Sequence, residues 1–363
     1  MSSILGNTPA ATLAPAAFAI QPGQISSVLD LPLTEVLTNT IPIAPTGGNW
    51  TIPPQGVGIA GGSDVIATSV PDGSFTGTTW DGPNLITSRA RFIHAALTGL
   101  PEGSTELEGK WARIIGPKKL NGAFQTVPIF RQWAAMPKGD ALKSTVTRDG
   151  FDMVTAYHAI TSVLEYLVGR GHNMEAILGS RRPVVANVNG VPDTNAWMDP
   201  NRSGGIDLTF GRSIDSPGGE WHLASDKEIV WHELGHLILH CINATLTSWY
   251  ARDGGGIHEG FGDALACLFS LDPQAAEDFA LAIASVFGTE RGLRTVANNI
   301  QYKDAGREVH DLGRVYGAFW WSTMKALAPL FGNNERAAAD LTTEILIEHG
   351  FHYSTNKPGP KDF

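Results

Sequence analysis

Hydrophobic and polar positions alternate with different periods along this chain, and the clearest pattern begins near residue 150. From Asp152 to Gly169 the apolar positions Met153, Ala156, Tyr157, Ile160, Val163, Leu164 and Leu167 recur at close to 3.6 residues, which predicts an amphipathic helix ended by Gly169 and Gly171. The run Pro183 to Val188 predicts a strand, and Asn195 to Asp199 and Gly205 to Phe210 predict two more. From Ile229 to Ile242 the chain is apolar almost all round (Val230, Trp231, Leu234, Leu237, Ile238, Leu239), the mark of a buried helix. Its start is expected at a capping box, Ser225-Asp226-Lys227-Glu228. Gly254-Gly255-Gly256 predicts a break, followed by a helix from Ile257 to Leu271. Asp272-Pro273 predicts the start of another helix to about Phe287, and further helices are expected at about 311–328 and 334–349.

The first 145 residues read differently. Trp111 to Ile115 and Phe124 to Phe130 predict strands, and Arg89 to Leu97 is helical or extended. Residues 1–88 are rich in Gly, Pro, Ser and Thr, with five acidic residues and no Lys or Arg, so loops and short edge-type strands are expected. The domain organisation that follows is 1–88, a small strand-containing segment 89–145, and a catalytic domain 146–363 with its central helix at about 226–242. A strand-rich lobe followed by a helical lobe, with a cleft between them, makes the expected class α+β.

Composition narrows the field. The chain has 363 residues, 42% hydrophobic and 17% charged, enough for a sizeable core. A net charge of −10 without a basic run argues against nucleic acid as the main partner. No stretch approaches 18 consecutive apolar residues, so no membrane span is expected, and the N-terminus lacks the positive region of a Sec signal. Those features fit a cytoplasmic protein or one exported by a non-Sec route. Two cysteines, Cys241 and Cys267, exclude a disulfide scaffold. They read as two buried thiols, with a bridge between their helices as the alternative.

The chemistry lies in the apolar helix, which contains His232-Glu233-Leu234-Gly235-His236, an H-E-x-x-H string. Two imidazoles one helical turn apart can hold one metal ion, and Glu233 beside them can take a proton from a metal-bound water. Polar groups inside such a helix are costly unless something satisfies them. A third ligand is expected from the helix after the triple glycine. There Glu259 and Asp263 share a face, Glu259 as ligand and Asp263 as acceptor for a ligand histidine's second N–H. His258 is a rival, although its side chain would point about 100° away from that of Glu259.

Four segments in order resemble gluzincin metallopeptidases of the thermolysin and fungalysin type. They are Asn195-Ala196-Trp197, His232 to His236, Glu259-Gly260-Phe261-Gly262-Asp263, and Glu308 to Tyr316 with His310 at its centre. The resemblance implies a thermolysin-like two-lobe catalytic domain, preceded here by a β- and loop-rich region. It implies Zn²⁺ on His232, His236 and Glu259, peptide or protein substrates, and Glu233 as general base. It further implies His310 and Tyr250 at the developing oxyanion, Asn195 and Ala196 along the substrate backbone, and Arg294 on a substrate carbonyl, with Arg291 and Arg307 as rivals. Asp304 is the nearest upstream carboxylate to orient His310. Endopeptidase is preferred over aminopeptidase. The alternative is a latent or inactive protein on the same scaffold, serving as a binding module or a secreted effector.

Overall fold

The structure is a computed structural model, and it describes residues 67–69, 75–84, 92–101, 104, 106–120, 123–126, 145–213, 221–246, 252–277 and 293–352. Its centre is the helix that carries the H-E-x-x-H string. Around it the described residues form a mixed α+β fold with six helices and small sheets.

Three short strands come first among the described residues: β1 (Ala67–Ser69), β2 (Phe75–Trp80) and β3 (Phe92–Ala96), antiparallel in the order β1-β2-β3. Strands β4 (Ala112–Leu120) and β5 (Ala123–Thr126) then enter a second sheet with β6 (Val184–Val188), β7 (Ala196–Met198) and β8 (Leu208–Phe210), in the order β5-β4-β6-β8-β7. β4, β6 and β8 run parallel, and β7 closes the edge antiparallel to β8 with Ala196 opposite Phe210. β6 is buried along its whole length, apolar except for Asn187, as a central parallel strand should be. Two two-residue pairs complete the strands: β9 (Arg212–Ser213) with β10 (Trp221–His222), and β11 (Gln274–Ala275) with β12 (Arg294–Thr295).

The helices are α1 (Thr145–Gly169), α2 (Met174–Leu178), α3 (Lys227–Ile242), α4 (Arg252–Ser270), α5 (Val309–Leu327) and α6 (Glu335–Gly350). α1 is seven residues longer at its start than the periodicity from Asp152 suggested. It packs its apolar stripe, Tyr157, Ile160 and Leu164 among them, into the core shared with α3.

Three expectations are corrected. The triple glycine does not break the chain, because α4 starts at Arg252 and runs through Gly254–Gly256. A Cβ on Gly256 would stand 2.6 Å from the Leu312 side chain of α5, so the glycine serves close helix packing. Asp272-Pro273 leads into the extended pair β11 rather than a helix, with Asp272 Oδ1 accepting the Gln274 N–H. The part of that expected helix beyond Glu277 lies outside the described residues. The N-cap of α3 is Asp226, whose side chain accepts the Glu228 N–H at 3.0 Å; Ser225 belongs to the 3₁₀ turn before it. Glu228 therefore does not fold back on the cap, and its carboxylate is drawn to Asn84 and the Ala276 N–H instead.

The segment 80–84 grips the start of α3. Trp80 Nε1 donates to Ser225 O, Lys227 Nζ donates to Trp80 O, and the Lys227 N–H donates to Pro83 O. Trp80 is itself buried and stands edge-on to Phe151 of α1. Among the described residues no helix is long and apolar enough to cross a membrane. Cys241 and Cys267 are both free thiols.

Candidate active site

Three helices meet at the site, and glycines set their spacing. A Cβ on Gly235 of α3 would lie 2.9 Å from the Gly262 Cα of α4, and one on Gly262 would lie 2.8 Å from His232 Nδ1. On the other side, a Cβ on Gly313 of α5 would lie 2.4 Å from the Glu259 Cβ. No side chain larger than hydrogen fits at these points without moving a backbone or a site residue. The glycines thus bring Glu259 and Asp263 against the histidines of α3, and bring the first turn of α5, with His310, over Glu259.

His232 and His236 sit one turn apart with ring centroids 4.5 Å apart and planes at 82°. Glu259 faces both: Oε2 is 3.3 Å from His232 Nε2, and Oε1 is 3.6 Å from His236 Nε2. One ligand atom from each of the three lies within 4.8 Å of the others, and all three residues are buried. Two imidazoles and one carboxylate, desolvated and convergent, form a donor set that suits zinc. Glu259 Oε2 makes no hydrogen bond of good geometry although it is buried, as a ligand atom facing a metal position would be.

Asp263 stands behind His232, with Oδ1 2.8 Å from Nδ1. That contact fixes Nδ1 as the proton-bearing nitrogen and turns Nε2 toward Glu259. Arg294 then locks Asp263 through two bonds, Nε to Oδ2 at 2.9 Å and Nη2 to Oδ1 at 2.8 Å. Burial alone would raise the carboxyls of Asp263 and Glu259. For Asp263 the charges of Arg294 and His232 overcome it, and for Glu259 those of His236, His232 and Arg294 do, so both stay well below the usual carboxylate range. Glu233 is the opposite case. Burial pushes its carboxyl up to about 7; the Glu259 charge adds to that, while His232, Arg294 and a hydrogen bond from the Met198 N–H draw it back. A carboxyl poised there can take up and return a proton near neutral pH.

A cleft of about 450 Å³ opens over these groups. Thr194 to Met198 and Pro200 form one wall, and Leu223, Ile229, Ala275, Ala276 and Leu293 form an apolar recess. His232, Glu233, His236, Glu259, Asp263, Arg294 and His310 also line it. Ala196 opens the edge strand β7, Asn195 immediately precedes it, and both line this cleft beside His232, His236 and Glu259. Tyr250 lies outside the described residues, as does Arg291. Arg294 lines the cleft, its two short bonds go to Asp263, and its Nη2 also lies 3.5 Å from His232 Nδ1.

His258, the rival ligand, is buried with its ring 5.7 Å from that of His236, and it is not one of the three convergent groups. The carboxylate beside His310 is Glu308 rather than Asp304: Glu308 Oε1 is 2.5 Å from His310 Nδ1. The sequence signal for it was Glu308-Val309-His310 itself, since a residue at a helix start can reach the first turn. The Met198 N–H on Glu233 carried no side-chain signal. Gly235 and Gly262 were legible only as small residues until the helix contact gave them a role.

A family model described as fungalysin metallopeptidase matches residues 220–353, from the strand before α3 to just past the end of α6. The match takes in His232, Glu233, His236, Glu259, Asp263, Arg294 and His310, while Asn195 and Ala196 lie outside it. None of the curated proteins compared matches the chain. The resemblance to fungalysin-type zinc metallopeptidases therefore rests on over a third of the chain, and it supports metallopeptidase activity in general.

Proposed function

We propose that this fungalysin-like chain is a zinc-dependent endopeptidase, with His232, His236 and Glu259 as metal ligands and Glu233 as general base. The observation that carries the reading is the convergence of those three buried donor groups in a cleft beside a carboxyl raised to about 7. Bound zinc would polarise a substrate carbonyl and lower the pKa of a water held beside it. Glu233 takes the proton from the attacking water and returns it to the departing amine. Asp263, locked by Arg294, keeps His232 in the tautomer that ligation needs. His310 donates to the carbonyl oxygen as charge develops on it. Tyr250 is proposed as a second donor there. Asn195 and the backbone of Ala196 hold the substrate as an added strand on the β7 edge, and a cleft along an open edge accepts chain on both sides of the scissile bond. Arg294, across the cleft, is proposed to hold a substrate carbonyl in addition to its bonds to Asp263. In this reading the sheet-bearing half and the helical half form the two lobes of a thermolysin-like domain, with the cleft between them.

Zinc content and cleavage of a generic protein substrate, measured on wild type beside Glu233→Ala, test the proposal. The expected result is about one zinc per chain in both, with activity lower by about 10³-fold or more in the variant. A protein that takes up no zinc after incubation with the metal sinks the ligand assignment. Zinc in both with cleavage in neither overturns the peptidase assignment and leaves a binding role.

A further inference from the structure

The apolar recess of the cleft has two halves from distant parts of the chain. Leu223, Glu228 and Ile229 come from the start of α3 and the 3₁₀ turn before it. Ala275, Ala276 and Leu293 come from β11 and the approach to β12, where the Leu293 N–H donates to Ala275 O at 2.8 Å. The halves meet where Glu228 Oε2 accepts the Ala276 N–H at 3.2 Å. Beside that bond the Glu228 and Glu277 carboxyls face each other, and each charge opposes the other. Asn84 stands between them. An amide nitrogen carries two hydrogens, and here Nδ2 lies 3.1 Å from Glu228 Oε2 and 2.8 Å from Glu277 Oε2, one acceptor on each half. An apolar side chain there would tie nothing, and a carboxyl would add a third acid. Asn84 is fully buried, and its segment is itself anchored. β2 ends at Trp80, whose Nε1 donates to Ser225 O in the turn that carries Leu223, and Pro83 O accepts the Lys227 N–H at 2.8 Å. Residues 80–84 thus grip the α3 half along the backbone and reach the β11 half through one side chain. They lie outside the stretch 220–353 that the family model matches.

We propose that Asn84 is a positioning residue for substrate selection: it holds the two halves of the recess together, so the segment 80–84 helps to set which side chain beside the scissile bond the cleft accepts. The assignment rests on the peptidase reading above. Asn84 acts through the walls and touches no substrate itself. With the amide gone, β11 is left with the single Ala276 bond to Glu228, and the recess loosens while the three metal-binding groups keep their places on α3 and α4.

Asn84→Ala is compared with Leu178→Ala, which opens a void in buried α2 away from the cleft and destabilises the fold without touching the recess. Amide hydrogen exchange on the metal-free proteins reads the tie directly. The Ala276 N–H should exchange roughly 10- to 100-fold faster in Asn84→Ala and at the wild-type rate in Leu178→Ala. The zinc-loaded proteins are then given peptides with leucine or alanine on either side of the scissile bond. Wild type should favour leucine on one side. For that peptide Asn84→Ala should raise KM roughly tenfold, the scale of a lost apolar contact, with kcat nearly unchanged. Its alanine counterpart should be cleaved as by wild type, and Leu178→Ala should keep the wild-type preference. An unaltered Ala276 exchange rate overturns the proposal. So does an equal loss for the leucine and alanine peptides, which would reduce Asn84 to a support of the fold. A wild type that cleaves no peptide would instead fail the peptidase reading, and the exchange rates would still decide whether Asn84 ties β11 to α3.

Discussion

Two buried carboxylate clusters touch α3 one turn apart, and they have opposite electrostatics. At the start of the helix, Glu228 meets Glu277. Asn84 Nδ2 donates to both, at 3.1 and 2.8 Å, and the Ala276 N–H donates to Glu228. Burial and the neighbouring charges of Asp226, Glu277 and Asp272 push the Glu228 carboxyl well above its usual range. One turn on, Glu259 and Asp263 are just as buried but face two histidines and Arg294, and they are held well below that range. Depth is the same in both places, so depth does not decide the charge state. The partners do: neutral amides leave the acidic neighbours of Glu228 uncompensated, whereas Arg294 and His232 hold Glu259 and Asp263 ionised. A carboxylate must be ionised to hold a metal, and of these two clusters the second meets that condition, as the proposed ligand role of Glu259 requires.

Removing the cation should give the largest effect. Arg294→Leu leaves Asp263 a buried charge bonded only toward His232, and breaking a buried pair in this way costs about 3–5 kcal/mol. Denaturant unfolding of the metal-free protein would measure it. Asn84→Ala removes the amide between Glu228 and Glu277 and should cost less, about 1–3 kcal/mol, because what is lost is a neutral donor and not a counter-charge. If the Asn84 variant lost as much as the Arg294 variant, counter-charge would not be what separates the two clusters.

The two regions also differed in how much the sequence revealed. The lower cluster was legible because its chemistry is periodic: His232 and His236 share a face at i, i+4, as Glu259 and Asp263 do on the next helix. The upper cluster joins residues 84, 228 and 277, and no spacing in the chain links them. Glu228 was read as part of a local capping box, and a tertiary partner 144 residues away won it over. The same override explains α4. Three consecutive glycines are a strong break signal by propensity, yet the contact of Gly256 with Leu312 requires a residue without a side chain inside the helix. Arg294 was expected on substrate, since a sequence cannot show that a buried aspartate already occupies two of its donors.

The smallest effect, and the finest test of the contrast, is the pH dependence of Glu228→Gln. Glutamine keeps the acceptor for Asn84 and the Ala276 N–H and mimics the protonated carboxyl toward Glu277. In the wild type the unfolded carboxyl sheds its proton near 4.5 while the folded one keeps it to a higher pH. The folded state therefore binds more protons above that point, and stability falls as pH rises until the folded carboxyl also ionises. The neighbouring Lys227 works the other way. Burial lowers it to about 7, with Asp81 partly opposing, so the unfolded state binds more protons between about 7 and 10.5 and stability rises there. The Glu228 slope thus opposes that of Lys227, and the variant loses the Glu228 slope while every other titrating group is common to both proteins. Melting curves of the two proteins should coincide near pH 4.5, and the variant should gain a few degrees by pH 8, the gap opening steadily between. A variant less stable by the same amount at every pH would mean that glutamine disturbs packing and that Glu228 is ionised like Glu259, which would erase the difference between the two clusters.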